Sequence, residues 1–254
     1  MNLRSGDLDY ACARIAARFG ARPDAAAWRR IETVRDLAAM LDAARATRLR
    51  PWTAGLSAEA NPHAIERVLR GHWRSLAGEV ATWMPRSWRP AVEWAASAPD
   101  LPALAAWHRG GRPPQWFADD PVYRFWNSEA ARGTSGAAGA LAALRPAGDV
   151  GELTHAWRAE WLSRLPDSHA ADAPLLGRFT QLVERSIGEM RTSPPGDGSP
   201  IMRSLRERLE GLFRRAMLEP TAAFVYLALA ALDLGKLRGE TMRRLLFPQL
   251  APAQ

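Results

Sequence analysis

A chain of 254 residues, 47% hydrophobic and 24% charged, is long enough to bury a substantial core and has the balance of an ordinary globular protein. Its formal net charge of +7 invites a nucleic-acid reading, but Lys236 is the only lysine, and an arginine skew beside so much Ala, Gly and Pro matches the codon bias of a GC-rich genome. Cys12 is the only cysteine, which excludes an intramolecular disulfide and a cysteine-based metal cluster and suits a reducing cytoplasm.

Abundant Ala, Leu and Arg, three tyrosines and few β-branched runs favour helix almost everywhere, and no strand alternation is evident. The first residues lack the uninterrupted apolar stretch of a secretory signal, and a helix containing Tyr10 is expected over 9–20. Thr33 followed by Asp36 predicts a capped helix from Val34, with Val34, Leu37, Leu41 and Ala44 on one face and Pro51 at its end. In the next helix Pro62 occupies the first turn, and Ile65, Val68, Leu69, Trp73 and Leu76 recur at three and four residues. Pro85 and Pro90 break the chain around Trp88, two short helical pieces follow over 91–109, and residues 110–121 read as a loop.

Residues 132–148 are poor in large side chains and form a Gly/Ala-rich linker between N-terminal helical lobes (1–131) and a C-terminal lobe (149–254). Within that lobe, 191–200 is a Pro/Gly/Ser-rich loop. After it, Ile201, Leu205, Leu209, Leu212 and Ala216 form an apolar stripe opposite Arg203, Arg206, Glu207, Glu210 and Arg214. The stretch 219–247 joins an almost wholly apolar helix to a basic amphipathic one. Its apolar run, 221–232, is shorter than the roughly 20 residues a bilayer needs, so it predicts a buried central helix. A weak internal echo pairs 34–51 with 150–166, through Val, an acidic residue, Leu and a closing Arg before Pro, with 101–107 as a remnant of a third copy.

Chemistry-bearing patterns are sparse. His63, His72, His108, His155 and His169 are not spaced to put two imidazoles on one helix face, no phosphate-binding Gly-rich loop ends in Gly-Lys-Ser/Thr, and Ser135 lacks a nucleophile elbow. Asp119 and Asp120 before Pro121 read as a cap or turn. No catalytic residue, cofactor-binding residue or metal ligand is assigned. Arg35 with Asp36, Glu66 with Arg67, and Arg206, Glu207, Arg208 and Glu210 have the interleaving of solvated helix faces. Eleven tryptophans are expected chiefly to fill the core between helices; the other use of such residues is as anchors on a partner-binding surface.

Pro220, Tyr226, Asp233, Leu237 and Arg238 follow an order, Pro, Tyr, acidic residue, Leu-Arg, that resembles the C-terminal signature of the C subunit of V-type ATPases and ATP synthases, known in eukaryotes as the d subunit. The Tyr10 helix, the segment 33–52 and the long helix over 61–80 match the family's opening elements, so the likeness covers about the first 85 residues and the last 45. It implies a divergent, shortened bacterial member: an all-α fold of many short helices in two or three packed lobes, funnel-like, with pseudo-repeats. The implied role is a non-catalytic central-stalk socket that couples the rotor shaft to the membrane proteolipid ring, on the cytoplasmic face and peripheral to the membrane. The alternative is a freestanding helical adaptor that binds an acidic partner or nucleic acid. Structurally, Tyr226 and Asp233 lie seven residues apart on nearly one face and need partners if buried, while Arg238 either pairs with Asp233 or caps a nearby helix end.

Overall fold

Side-chain caps set the helix starts in the first third of the chain. In the computed structural model Asp24, Asp36 and Asn61 stand in extended backbone, and each accepts the N–H three residues further on at 2.8 Å. They open α2 (Ala25–Glu32), α3 (Leu37–Arg45) and α5 (Pro62–Trp83), which follow α1 (Leu3–Gly20). The structure describes residues 3–109, 111–112, 114–118, 120, 144, 150–167, 173–194 and 198–247.

Thr33 and Pro51 take roles different from those expected. Thr33 ends α2 instead of capping its successor, because the Asp36 carboxylate takes the Ala39 N–H and delays the next helix to Leu37. Pro51 lies in the first turn of the short α4 (Arg50–Thr53), where its missing N–H has no intrahelical partner to lose, so it begins a helix. Helix α2 has no counterpart among the elements expected from sequence.

The prolines around Trp88 act as predicted. Helix α5 stops at Trp83, and Pro90 sits in the first turn of α6 (Arg89–Ala95). A 3-10 turn over Ala98–Asp100 leads into α7 (Leu101–His108), and the expected loop contains a single helical turn, α8 (Gln115–Ala118), that buries Trp116 and Phe117. Most of 132–148 lies outside the described residues, as do Ser135, Asp119 and His169; Leu144 within that span is fully buried.

The second half comprises α9 (Val150–Ser163), α10 (Ala173–Thr192), α11 (Gly198–Arg215) and α12 (Thr221–Leu246). The loop 191–200 is shorter than predicted. Ser193 still donates its N–H to the Glu189 carbonyl, its hydroxyl bonds to the same carbonyl at 2.7 Å, and α11 starts at Gly198, with Pro200 tolerated in its first turn. Of the predicted stripe, Leu205, Leu209, Leu212 and Ala216 are buried and Ile201 is half-buried.

The described residues are all-α, with no strand. The frame is not made of short helices alone: α1, α5, α10, α11 and α12 run 18, 22, 20, 18 and 26 residues. Helix α12, about 39 Å long at 1.5 Å per residue, is the central element and packs against α1, α3, α5, α6, α10 and α11. From Thr221 to Leu227 every residue is buried, so the helix is covered all round there; beyond Leu232 burial narrows to Asp233, Leu234, Leu237, Thr241 and Arg244, one face. One hydrophobic cluster runs from Ala11 to Leu237, so the two halves that the sequence separates share a core.

The tryptophans serve that core. Trp28, Trp73, Trp83, Trp88, Trp94, Trp116 and Trp161 are buried. Trp157 and Trp161 stack at 6.3 Å, Trp161 meets Phe224 of α12 edge-on at 5.1 Å, and Trp94 donates its indole N–H to the Trp157 carbonyl at 3.0 Å. This ladder ties α6 and α9 to the central helix.

Candidate functional site

Five of the six residues singled out in the sequence lie on α12 or at its start. Pro220 is the N-cap residue and is buried, and Tyr226 and Leu237 point into the core at 3% and 0% exposure. Tyr10, on α1, is 53% exposed and accepts a hydrogen bond from Arg14 at 3.0 Å, so the structure does not bring it to the others.

Asp233 is 1% exposed and is held from two sides. Arg22, in the turn after α1, donates Nε to Oδ2 at 2.8 Å, and Arg206 of α11 donates Nη1 to Oδ1 at 2.5 Å. A carboxylate so far from water needs such compensation, and two charge-assisted donors supply it. Arg22 also reaches Glu210 at 3.4 Å and lies over the Phe19 ring, itself stacked on Phe213 at 4.0 Å. Three elements meet at this one carboxylate.

Arg238 does not pair with Asp233. It reaches across to α5 and donates Nε to both oxygens of buried Glu66, at 2.9 and 2.7 Å. Five residues separate Asp233 from Arg238, so they lie on opposite sides of the helix, and each finds its partner on a different neighbour. Glu66 opens a chain of charges across α5: Arg70 bonds to Glu66 and Asp100, Arg74 to Asp100 and Asp120, and the Arg70 guanidinium lies over the Trp116 ring at 3.7 Å. Asp120, read from sequence as a turn residue, makes that turn through its N–H to the Phe117 carbonyl, yet its carboxylate is buried and ion-paired. A cleft of about 330 Å³ opens over this network, lined by Glu66, Arg70, Trp73, Pro102, Leu234 and Arg238 among others.

Nor does Arg238 cap a helix end; Arg244 does. Its guanidinium donates to the Ile31 and Val34 carbonyls at 2.7 Å each, to Glu32 at 3.3 Å, and to Glu240 Oε2 at 2.6 Å. It thereby supplies donors to the last two carbonyls of α2 and to the Val34 carbonyl in the connection to α3. Sequence reasoning missed Arg244 because an arginine in the basic last turn of a helix ordinarily faces water.

Burial pushes the Tyr226 phenol up to about 12, and the charges of Arg18, Glu79, Arg22 and Asp233 act on it in opposing senses. An unfolded chain releases that proton near 10.0 while the folded one holds it to about 12, so Tyr226 contributes stability that is complete below pH 10 and lost as pH rises through that window. Urea denaturation at stepped alkaline pH is expected to show a fall of roughly 3 kcal/mol from this residue. It should be absent in Tyr226→Phe; an equal fall in that variant would clear Tyr226 of the effect.

Among the described residues no group of three or more His, Cys, Asp or Glu is placed to hold a metal ion, and no helix is long and apolar enough to cross a membrane. His72 bonds to the Ala54 carbonyl at 2.8 Å, and Lys236 pairs with Glu32 at 2.6 Å above the Trp28 ring. The arrangement is an interlocking of charged and aromatic side chains around one central helix. No family model, curated protein or solved structure matches the chain.

Proposed function

We propose that this chain is the non-catalytic socket of a V-type rotary ATPase, a member of the family of its C subunit (the eukaryotic d subunit), coupling a rotor shaft to a membrane proteolipid ring. The observation that carries the reading is that the polar residues of the C-terminal signature bind the elements behind the N-terminal part of the resemblance. Asp233 holds Arg22 beside α1, and Arg238 holds Glu66 of α5. A part that passes torque must resist shear, and the buried ion pairs that join the first helices to the last one supply stiffness. On this reading the chain is cytoplasmic and meets the membrane only peripherally, through protein contacts. Apolar anchors stand free at both ends of the central helix: Met217 and Leu218 before it, Leu246 and Phe247 at its far end.

The test is a native pull-down of the tagged chain from detergent-solubilised membranes of its host, read by mass spectrometry. Recovery of proteolipid, shaft and ATPase components in moderate salt is expected. Recovery of the chain alone, or with nucleic acid or unrelated soluble proteins, would pass the lead to the second reading, a freestanding helical adaptor for an acidic partner or nucleic acid. One observation favours that alternative: an arginine-lined groove on α10 and α11.

A further inference from the structure

Helices α10 and α11 form a hairpin whose inner side packs on α12 and whose outer side carries a cleft of about 350 Å³. The walls of that cleft repeat one motif. On α10 it is Arg178, Gln181, Leu182, Arg185; on α11 it is Arg208, Gly211, Leu212, Arg215, with the same spacing of three, one and three residues. That spacing puts each set on a single helix face. Because the two helices run in opposite directions, the sets are related by a local two-fold: Arg178 comes level with Arg215 and Arg185 with Arg208. Seven residues of helix separate the two levels, about 10 Å.

The four arginines are exposed, and among the described residues no carboxylate lines the cleft and none of the four forms an ion pair. By contrast, Arg22, Arg206 and Arg238 are each paired with a buried acid on another element. Between the charged levels the floor is apolar, made by Leu182 and Leu212, and a Cβ built at Gly211 meets nothing within 4 Å. Four like charges held around an open apolar floor repel one another until an anion arrives.

We infer that this groove seats an acidic amphipathic helix of a partner protein, with carboxylates two turns apart bracketing an apolar pair. A groove between two antiparallel helices is the seat that a third helix takes by ridge-into-groove packing. The 10 Å spacing matches residues i and i+7 of that helix, the guanidinium forks pair with its carboxylates, and the leucines cover its apolar stripe. A lone phosphate would span neither the distance nor the floor. The inference rests on the groove alone and holds under either reading of the chain's function.

The test uses the full chain and a labelled helical peptide carrying Glu-x-x-Leu-Leu-x-x-Glu, measured by fluorescence anisotropy at low salt. Saturable binding is expected, weakening as salt rises. A scrambled peptide of equal composition and charge should bind about tenfold more weakly, and Gly211→Trp, which fills the floor without touching charge, should have a similar effect. Converting all four arginines to glutamine should lower affinity roughly 10- to 100-fold. All four side chains are exposed, so unchanged circular dichroism is expected to accompany that loss. Equal binding of the scrambled peptide, or of the native peptide by the glutamine variant, overturns the proposal. So does tighter arginine-dependent binding of tripolyphosphate or a short single-stranded DNA, which would make the groove a phosphate site.

Discussion

Replacing Asp233 with alanine is expected to lower the unfolding free energy by about 3–5 kcal/mol. The effect is large because the carboxylate sits between two guanidinium groups and only Arg206, 23% exposed, has ready access to water. Arg22 is 9% exposed, and without Asp233 its nearest remaining acid is Glu210 at 3.4 Å. A charge left in a dry place with one distant partner costs far more than the pair contributed when intact. Against a total stability of roughly 5–15 kcal/mol, such a loss removes at least about a fifth, and thermal melting should move down by about 10 °C. Denaturant titration of Asp233→Ala, Arg22→Ala and the double variant checks the cause as well as the size. If the carboxylate and Arg22 act as one unit, the double variant loses less than the sum of the two. Additive losses would show that they do not, and a loss below about 1 kcal/mol for Asp233→Ala would mean that this seam does not carry the fold.

Arg244→Met is expected to cost a similar amount, about 3–5 kcal/mol, for a different reason. The side chain is 2% exposed, and its donors are the ones supplied to the carbonyls of Ile31, Glu32 and Val34. Methionine fills much of the same volume but takes the side-chain donor from the Glu32 and Val34 carbonyls, leaves Ile31 only the Val34 N–H at 3.3 Å, and removes a partner of Glu240. Lysine restores the charge without the planar fork and should recover less than half of the loss. The pH dependence separates charge from shape. Burial works to raise the Glu240 pKa, but hydrogen bonds from Arg244 and Arg243 outweigh it and hold the carboxyl below its ordinary value of 4.5. Its folded pKa is thus depressed, so its contribution is present above about pH 4.5 and fades as pH falls through the folded value. The gap between wild type and Arg244→Met should therefore narrow in acid, and a gap that stays constant would assign the whole effect to the carbonyls.

What could be read from the sequence was whatever depends on neighbours in the chain. The apolar run of α12, the stripe of α5 and the stripe of α11 each announce a buried face by spacing alone, and the prolines around Trp88 mark a break that is there. Local competition hid the start of α3: Thr33 and Asp36 are both cap residues, and the choice turned on which carbonyls and N–H groups Arg244 and Asp36 satisfied. Helix α2 carried a fair signal in Pro23 and Asp24, but it is eight residues long and buries only Ala27, Trp28 and Ile31. The candidate site was half visible. Asp233 and Arg238 stood out as polar exceptions on an apolar helix, whereas their partners are 211 and 172 residues away, and no local pattern connects such positions.

Those separations also bear on how the chain is made. Although the molecule is helical, its decisive contacts join elements some 200 residues apart, which is the topology that slows folding. At ribosomal rates of about 5–20 residues per second, α1 to α5 wait roughly 10–40 s before α12 emerges. During that interval Arg22 lacks Asp233, Glu66 has Arg70 but not Arg238, the end of α2 lacks Arg244, and the apolar surface awaiting the central helix is open to solvent or to a chaperone. Completion is therefore governed by the arrival of one late helix, which closes the early structure much as a keystone closes an arch.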